Sequence, residues 1–178
     1  LPPGRARGVA LHESFGSNWR MLEMQAVIGR IQLGRMDGWT TARAANAEAI
    51  RNACRGHDLV RVPEAPDDSV HAHYKCYVYV RPEKLGAGWS RDRIVEEINK
   101  LGVPCYQGSC SEVYLETAFD GTGFRPPQRL PVAKELGETS LMFLVHPTLT
   151  GQEIDLTCGA INNVLTAASR SLPERNDE

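Results

Sequence analysis

The sequence predicts an open α+β layer in which three short strands carry helices mainly on one face. Apolar residues recur at helical spacing in several separated stretches, and short runs of β-branched and aromatic residues lie between them. Capping signals at Ser90 and Thr150 mark where two of the helices begin. At 178 residues the chain divides into three parts. Residues 1–56 read as an opening loop and long interdomain helices, 57–172 as a small α+β domain, and 173–178 as a frayed tail.

The rest of the chain is organised around Gly16-Ser17-Asn18-Trp19-Arg20-Met21-Leu22-Glu23-Met24-Gln25-Ala26, a polar turn running into a helix over 21–37. Asn18 stands where a helix cap belongs, able to accept from the unpaired amides of the first turn. Met21, Met24, Ile28 and Ile31 form one apolar face, and Leu22, Ala26, Leu33 and Met36 form a neighbouring one. A stripe that wide predicts a helix buried between two bodies. Gly29 and Gly34 cost about 1 kcal/mol each relative to Ala, which predicts another backbone close by.

Gly38 marks a break, and an alanine-rich helix follows from Trp39 to about Cys54. Pro63, Pro66 and several acids make 57–69 a connector. His71 to Val80 has strand character, with Tyr74, Cys76, Val78 and Val80 alternating against Lys75, Tyr77 and Tyr79. Ser90 caps a helix whose stripe is Ile94, Val95, Ile98 and Leu101, with Trp89 and Ile94 as a hydrophobic staple. Val103 to Tyr106 is a brief second strand. Gln107 to Pro127 is a long excursion with a helical turn near 113–119, the kind of segment that forms lids and binding loops. Pro131 opens a short helix ending near Gly137, and Ser140 to Val145 is the third strand. Thr150-Gly151-Gln152-Glu153 is a capping box for the last helix.

Composition excludes several function classes. Twenty basic against 22 acidic residues leave a net charge of −2, and no basic stripe suggests a nucleic-acid surface. No apolar run reaches the length of a membrane span, and no signal peptide precedes the first helix. Five cysteines, an odd number in a chain too long to need staples, point to a reducing, cytoplasmic setting.

Most candidate chemistry has a plainer structural reading. His71 and His73, two apart on the expected strand, would share a face, but no third ligand stands at a metal-site spacing. Cys105 and Cys110 match neither a redox nor a zinc pattern, and Ser109 and Ser111 lack a nucleophile elbow. Ser109 reads as the cap of the following turn, with Glu112 three residues on. Gly86-Ala87-Gly88 reads as a turn, and His146 before Pro147 as a structural histidine. Asn18 and Arg20 are left as an anion-competent helix start, where free amides, an amide side chain and a guanidinium fork suit phosphate or carboxylate.

The opening stretch, with Gln25-Ala26-Val27-Ile28-Gly29 and Gln32-Leu33 behind it, resembles the DegT/DnrJ/StrS family of pyridoxal-phosphate-dependent aminotransferases. Later segments agree in order: His71-Ala72-His73-Tyr74-Lys75, Arg91-Asp92, Leu101-Gly102-Val103-Pro104, Leu130-Pro131-Val132-Ala133 and His146-Pro147-Thr148-Leu149-Thr150 before Glu153-Ile154-Asp155. The resemblance implies the C-terminal domain of a fold-type-I enzyme. The whole enzyme would move an amino group, expected from glutamate, to a nucleotide-linked keto sugar for polysaccharide, lipopolysaccharide or antibiotic-sugar assembly.

By the same resemblance, Asn18 would reach the cofactor phosphate of the other subunit in a homodimer. Arg20 would serve the substrate side, and Tyr106 and Ser109, with Ser111, would lie in the substrate-proximal segment. The Cys-Tyr-Gln-Gly-Ser-Cys-Ser wording there departs from the family's Tyr- and Pro-rich version. The Schiff-base lysine is expected upstream: Lys75, Lys84, Lys100 and Lys134 are the lysines present, and none stands in a Ser-x-x-x-Lys setting. The piece alone is therefore expected to be inactive. The rival expectation is a non-catalytic regulatory or scaffolding dimerisation module of the same fold.

Overall fold

The computed structural model describes residues 19–169. They fall into two compact units, one ending at Met36 and the other beginning at Asp37. Asn18, the expected cap and cofactor contact, lies outside the described residues.

In the first unit, Trp19 to Leu22 is irregular and helix α1 spans Glu23–Leu33. Its N-cap is Leu22, whose amide donates to the Gln25 side chain at 2.9 Å. The helix therefore begins later than the sequence suggested, and the Gln25 side chain satisfies the amide of its N-cap residue. The break comes at Gly34-Arg35 instead of Gly38. No α1 residue is buried, and nothing lies within 4 Å of a Cβ built on Gly29. The expected neighbouring backbone is thus absent among the described residues. Met21, Leu22, Met24 and Leu33 are each about two-thirds or more exposed.

The second unit holds four strands and four helices: α2 (Met36–Arg55), β1 (Val60–Arg61), β2 (Cys76–Val80), α3 (Arg91–Lys100), β3 (Cys105–Tyr106), α4 (Pro131–Thr139), β4 (Ser140–Phe143) and α5 (Gly151–Ser169). The sheet runs β1-β2-β4-β3 and is antiparallel throughout. The α+β class stands, with one strand more than expected: β1 pairs Val60 with Val80 inside what reads as a connector. Strand β2 starts at Cys76 rather than His71, because His73 takes a left-handed φ of 46° that breaks the pleat.

Strand alternation sorts the sheet into two faces. Val60, Cys76, Val78, Val80, Cys105, Leu141 and Phe143 turn to one side. There they join Ala47, Ile50 and Cys54 of α2, Ile94 and Ile98 of α3, and Ile161, Val164 and Leu165 of α5 in one core. The local signals for these helices hold. Ser90 Oγ accepts from the Arg93 amide at 3.1 Å, and the Thr150 amide donates to Glu153 at 2.7 Å in a closed capping box. The opposite face carries Tyr77, Tyr79, Tyr106, Ser140 and Met142, and the functional candidates gather beside it.

A candidate substrate-side site on the outer face of the sheet

The excursion after β3 begins on a latch. Ser140 Oγ donates to the Gln107 carbonyl, and Tyr77 Oη shares a hydrogen bond of 3.3 Å with Ser109 Oγ. Between them Gly108 has φ +98°, and a Cβ there would fall 2.8 Å from the Tyr77 ring. Glycine is required on both counts, left-handed backbone and close approach. Gln107 also donates to Asp92 at 2.8 Å. The outer face of β2 and β4 thus holds residues 107–109 in one place, with half-exposed Tyr106 just before them.

Ser109 does not cap the following turn. Its expected partner, Glu112, instead receives Arg129 and accepts from Tyr114 Oη at 2.6 Å. The Arg129 guanidinium, followed by the Tyr114 hydroxyl, holds the Glu112 carboxyl down at about 2. Tyr114 Oη in turn accepts from the Leu130 amide at 2.9 Å, so the two ends of the excursion are tied together. Arg125 adds hydrogen bonds to the carbonyls of Tyr114, Leu115 and Glu116. Ser111 packs on the backbone of α4 at Gly137, where a Cβ would meet its Oγ at 2.0 Å. That packing is why a glycine sits inside α4 rather than ending it. Arg91 fastens the same corner, donating to the carbonyls of Gly137 and Ser140 at 2.9 and 3.1 Å.

Tyr77 also borders a second feature, a cavity of about 370 Å³ lined in part by Arg51, Glu64, His71, His73, Lys75 and Tyr79. His71 and His73 precede β2 instead of sharing a strand face. Their rings stand 4.4 Å apart, and His71 Nδ1 accepts from the His73 amide at 2.9 Å. Burial, ahead of the neighbouring His71, lowers the pKa of His73. No group of three or more metal-ligating side chains occurs among the described residues.

The thiols are set against nucleophilic use. Burial pushes Cys105 up to about 12 and Cys76 to about 11. The Glu116 carboxylate, 3.1 Å from the exposed Cys110 sulfur, raises that thiol too. Three of the four lysines are in surface ion pairs: Lys84 with Asp58, Lys100 with Glu96 and Glu97, and Lys134 with Glu138. The fourth, Lys75, rests against the Tyr74 ring. None of the four is fully buried.

Of the residues singled out from the sequence, Ser109 lies in the latched segment and Tyr106 at the end of β3 just before it. Arg20 is exposed and belongs to the first unit. Tyr77, Ser140 and Gln107, which hold the segment, had no sequence signal, because the contacts join residues more than thirty positions apart. No helix among the described residues is long and apolar enough to cross a membrane.

Known proteins resemble this chain along most of its length. It is 29% identical over 140 residues to the dTDP-3-amino-3,4,6-trideoxy-alpha-D-glucose transaminase of Streptomyces venezuelae, covering 78% of this chain and 34% of that protein. It is 26% identical over 145 residues to the erythromycin biosynthesis sensory transduction protein EryC1 of Saccharopolyspora erythraea, covering 82% and 37%. The chain thus spans about a third of the length of these curated relatives. A solved aminotransferase from Psychrobacter cryohalolentis superposes with a TM-score of 0.83 at 58% identity, covering 94% of this chain and 45% of that one. Residues 3–162 match a single family description, and the chain belongs to the DegT/DnrJ/EryC1/StrS aminotransferase family.

Proposed function

We propose that this chain is the C-terminal portion of a cytoplasmic, homodimeric sugar aminotransferase that uses pyridoxal 5'-phosphate and moves an amino group from an amino acid, glutamate first among candidates, to a nucleotide-linked keto sugar. The observation that carries this reading is the 58% identity to a solved aminotransferase along 94% of the chain. The named S. venezuelae relative supports the sugar substrate class.

In the sequence Asn18 and Arg20 stand a few residues ahead of helix α1, and an amide beside a guanidinium suits a phosphate; none of the four lysines is fully buried. When bound, pyridoxal phosphate would supply the electron sink for amino transfer. In this reading Asn18 holds its phosphate from across a dimer and Arg20 orients the substrate. Ser109, fixed by the Tyr77 and Ser140 latch, and Tyr106 just before it form a polar wall against the sugar. The product would enter polysaccharide, lipopolysaccharide or antibiotic-sugar assembly. The name of EryC1 as a sensory transduction protein favours one alternative, a regulatory or scaffolding dimerisation module that binds ligands without turnover.

Replacing Asn18 and Arg20 in the protein made from the complete natural gene tests the assignment. Removing a charge-assisted hydrogen bond costs about 1.5–3 kcal/mol. Arg20→Ala is therefore expected to raise KM for the sugar nucleotide by about tenfold or more, and Asn18→Ala to weaken cofactor retention. Unchanged cofactor binding and kinetics in both variants would overturn these roles. A natural gene product that binds cofactor or sugar nucleotide without transferring nitrogen would favour the regulatory alternative.

A further inference from the structure

The cavity beside Tyr77 is lined by more basic than acidic side chains. It lies between the 63–73 segment and the outer face of β2, with α2 contributing Arg51. Its one carboxylate, Glu64, is already engaged by Arg51 and Arg55. Arg51 nevertheless carries a buried Nε without a hydrogen-bond partner, the one such side-chain atom among the described residues. The nearest Glu48 oxygen, at 3.8 Å, is too far to accept from it. The Lys75 ammonium, 5.4 Å from the centroid of the Tyr74 ring, has no carboxylate partner among the described residues. Because His71 Nδ1 accepts from the His73 amide, the proton of the neutral ring sits on Nε2, a further donor.

Three donor types thus line one cavity from two places: Arg51 on helix α2, and His71 and Lys75 in the segment just before β2. Of these, Arg51 Nε is buried, and an unmatched buried donor is costly and calls for an acceptor. Donors spread over two places suit an anion with many oxygens better than a single carboxylate. The cavity is also larger than one small anion needs.

We propose that this pocket binds a phosphate-class oxyanion through Lys75, His71 and Arg51. The anion is either free or the diphosphate of a nucleotide. The nucleotide source rests on the sugar-aminotransferase reading, whereas binding of the free anion stands or falls by itself. Tyr77 joins the pocket to the latched segment, so a nucleotide-linked ligand could reach from one to the other.

The test follows the His71 and His73 ring signals by NMR at neutral pH while inorganic pyrophosphate is added to the 178-residue chain. A saturable shift is expected at millimolar pyrophosphate. Lys75→Met and His71→Phe should each weaken binding by about tenfold or more. Lys84→Met should leave it unchanged, because that ammonium lies outside the pocket and pairs with Asp58. Backbone amide spectra identify any variant that has lost its fold. A parallel titration with uridine diphosphate separates the sources: tighter binding than pyrophosphate assigns the site to a nucleotide, and equal binding to the free anion. No saturable shift in the unaltered chain, or equal weakening by Lys75→Met and Lys84→Met, overturns the proposal.

Discussion

At the scale of single residues, the substrate-side segment depends on two contacts that stability measurements can isolate. Gly108 is left-handed and lies against the Tyr77 ring. Gly108→Ala is expected to cost about 1–3 kcal/mol, read as a lower urea midpoint at unchanged slope. Equal stability would mean that the latch is not formed as described. Glu112 predicts a pH dependence. Arg129 and Tyr114 hold its carboxyl at about 2 in the folded chain, below its ordinary 4.5. The stability it contributes is therefore complete above about 4.5 and is lost as pH falls through 2. Pepsin should cut the 113–127 excursion increasingly over that window. Arg129→Gln should bring cutting in at higher pH, whereas pH-independent cutting in the unaltered chain would contradict the tie.

At the scale of elements, local signals and long-range packing separate cleanly. The Ser90 cap and the Thr150-Glu153 box were legible because each acts within four residues. Thr150→Ala should cost about 1 kcal/mol, while Ile161→Ala, fully buried in α5, should cost about 2–5 kcal/mol. A thermal melt of each variant checks the order. Strand β1 was not legible, since two residues among prolines and acids carry no period and depend on pairing with β2. The late start of β2 also escaped, because only the folded turn reveals the backbone of His73. Gly137 reads as a helix stop in the sequence, and its place inside α4 depends on Ser111 packing against it. Among the site residues, Arg20 was legible as the guanidinium of an anion-competent stretch, whereas the substrate-side roles of Tyr106 and Ser109 came from resemblance alone. Tyr77, Ser140 and the basic cavity arise only when the sheet brings distant residues together.

At the scale of the molecule, α1 presents its apolar stripe without cover among the described residues, an arrangement that favours association. Sizing chromatography of the chain should give dimers or soluble aggregates. A monomer that persists at all concentrations would count against an interface role for that helix. The proposed activity is amino transfer by a longer protein that would include this chain. Its most direct measurement is 2-oxoglutarate release from glutamate in the presence of pyridoxal phosphate, comparing the complete natural gene product with residues 1–178 alone. The complete protein should release 2-oxoglutarate, through a lysine outside this chain, and the 178 residues should release none. Release by the 178 residues alone, or an inactive complete protein without such a lysine, would contradict it.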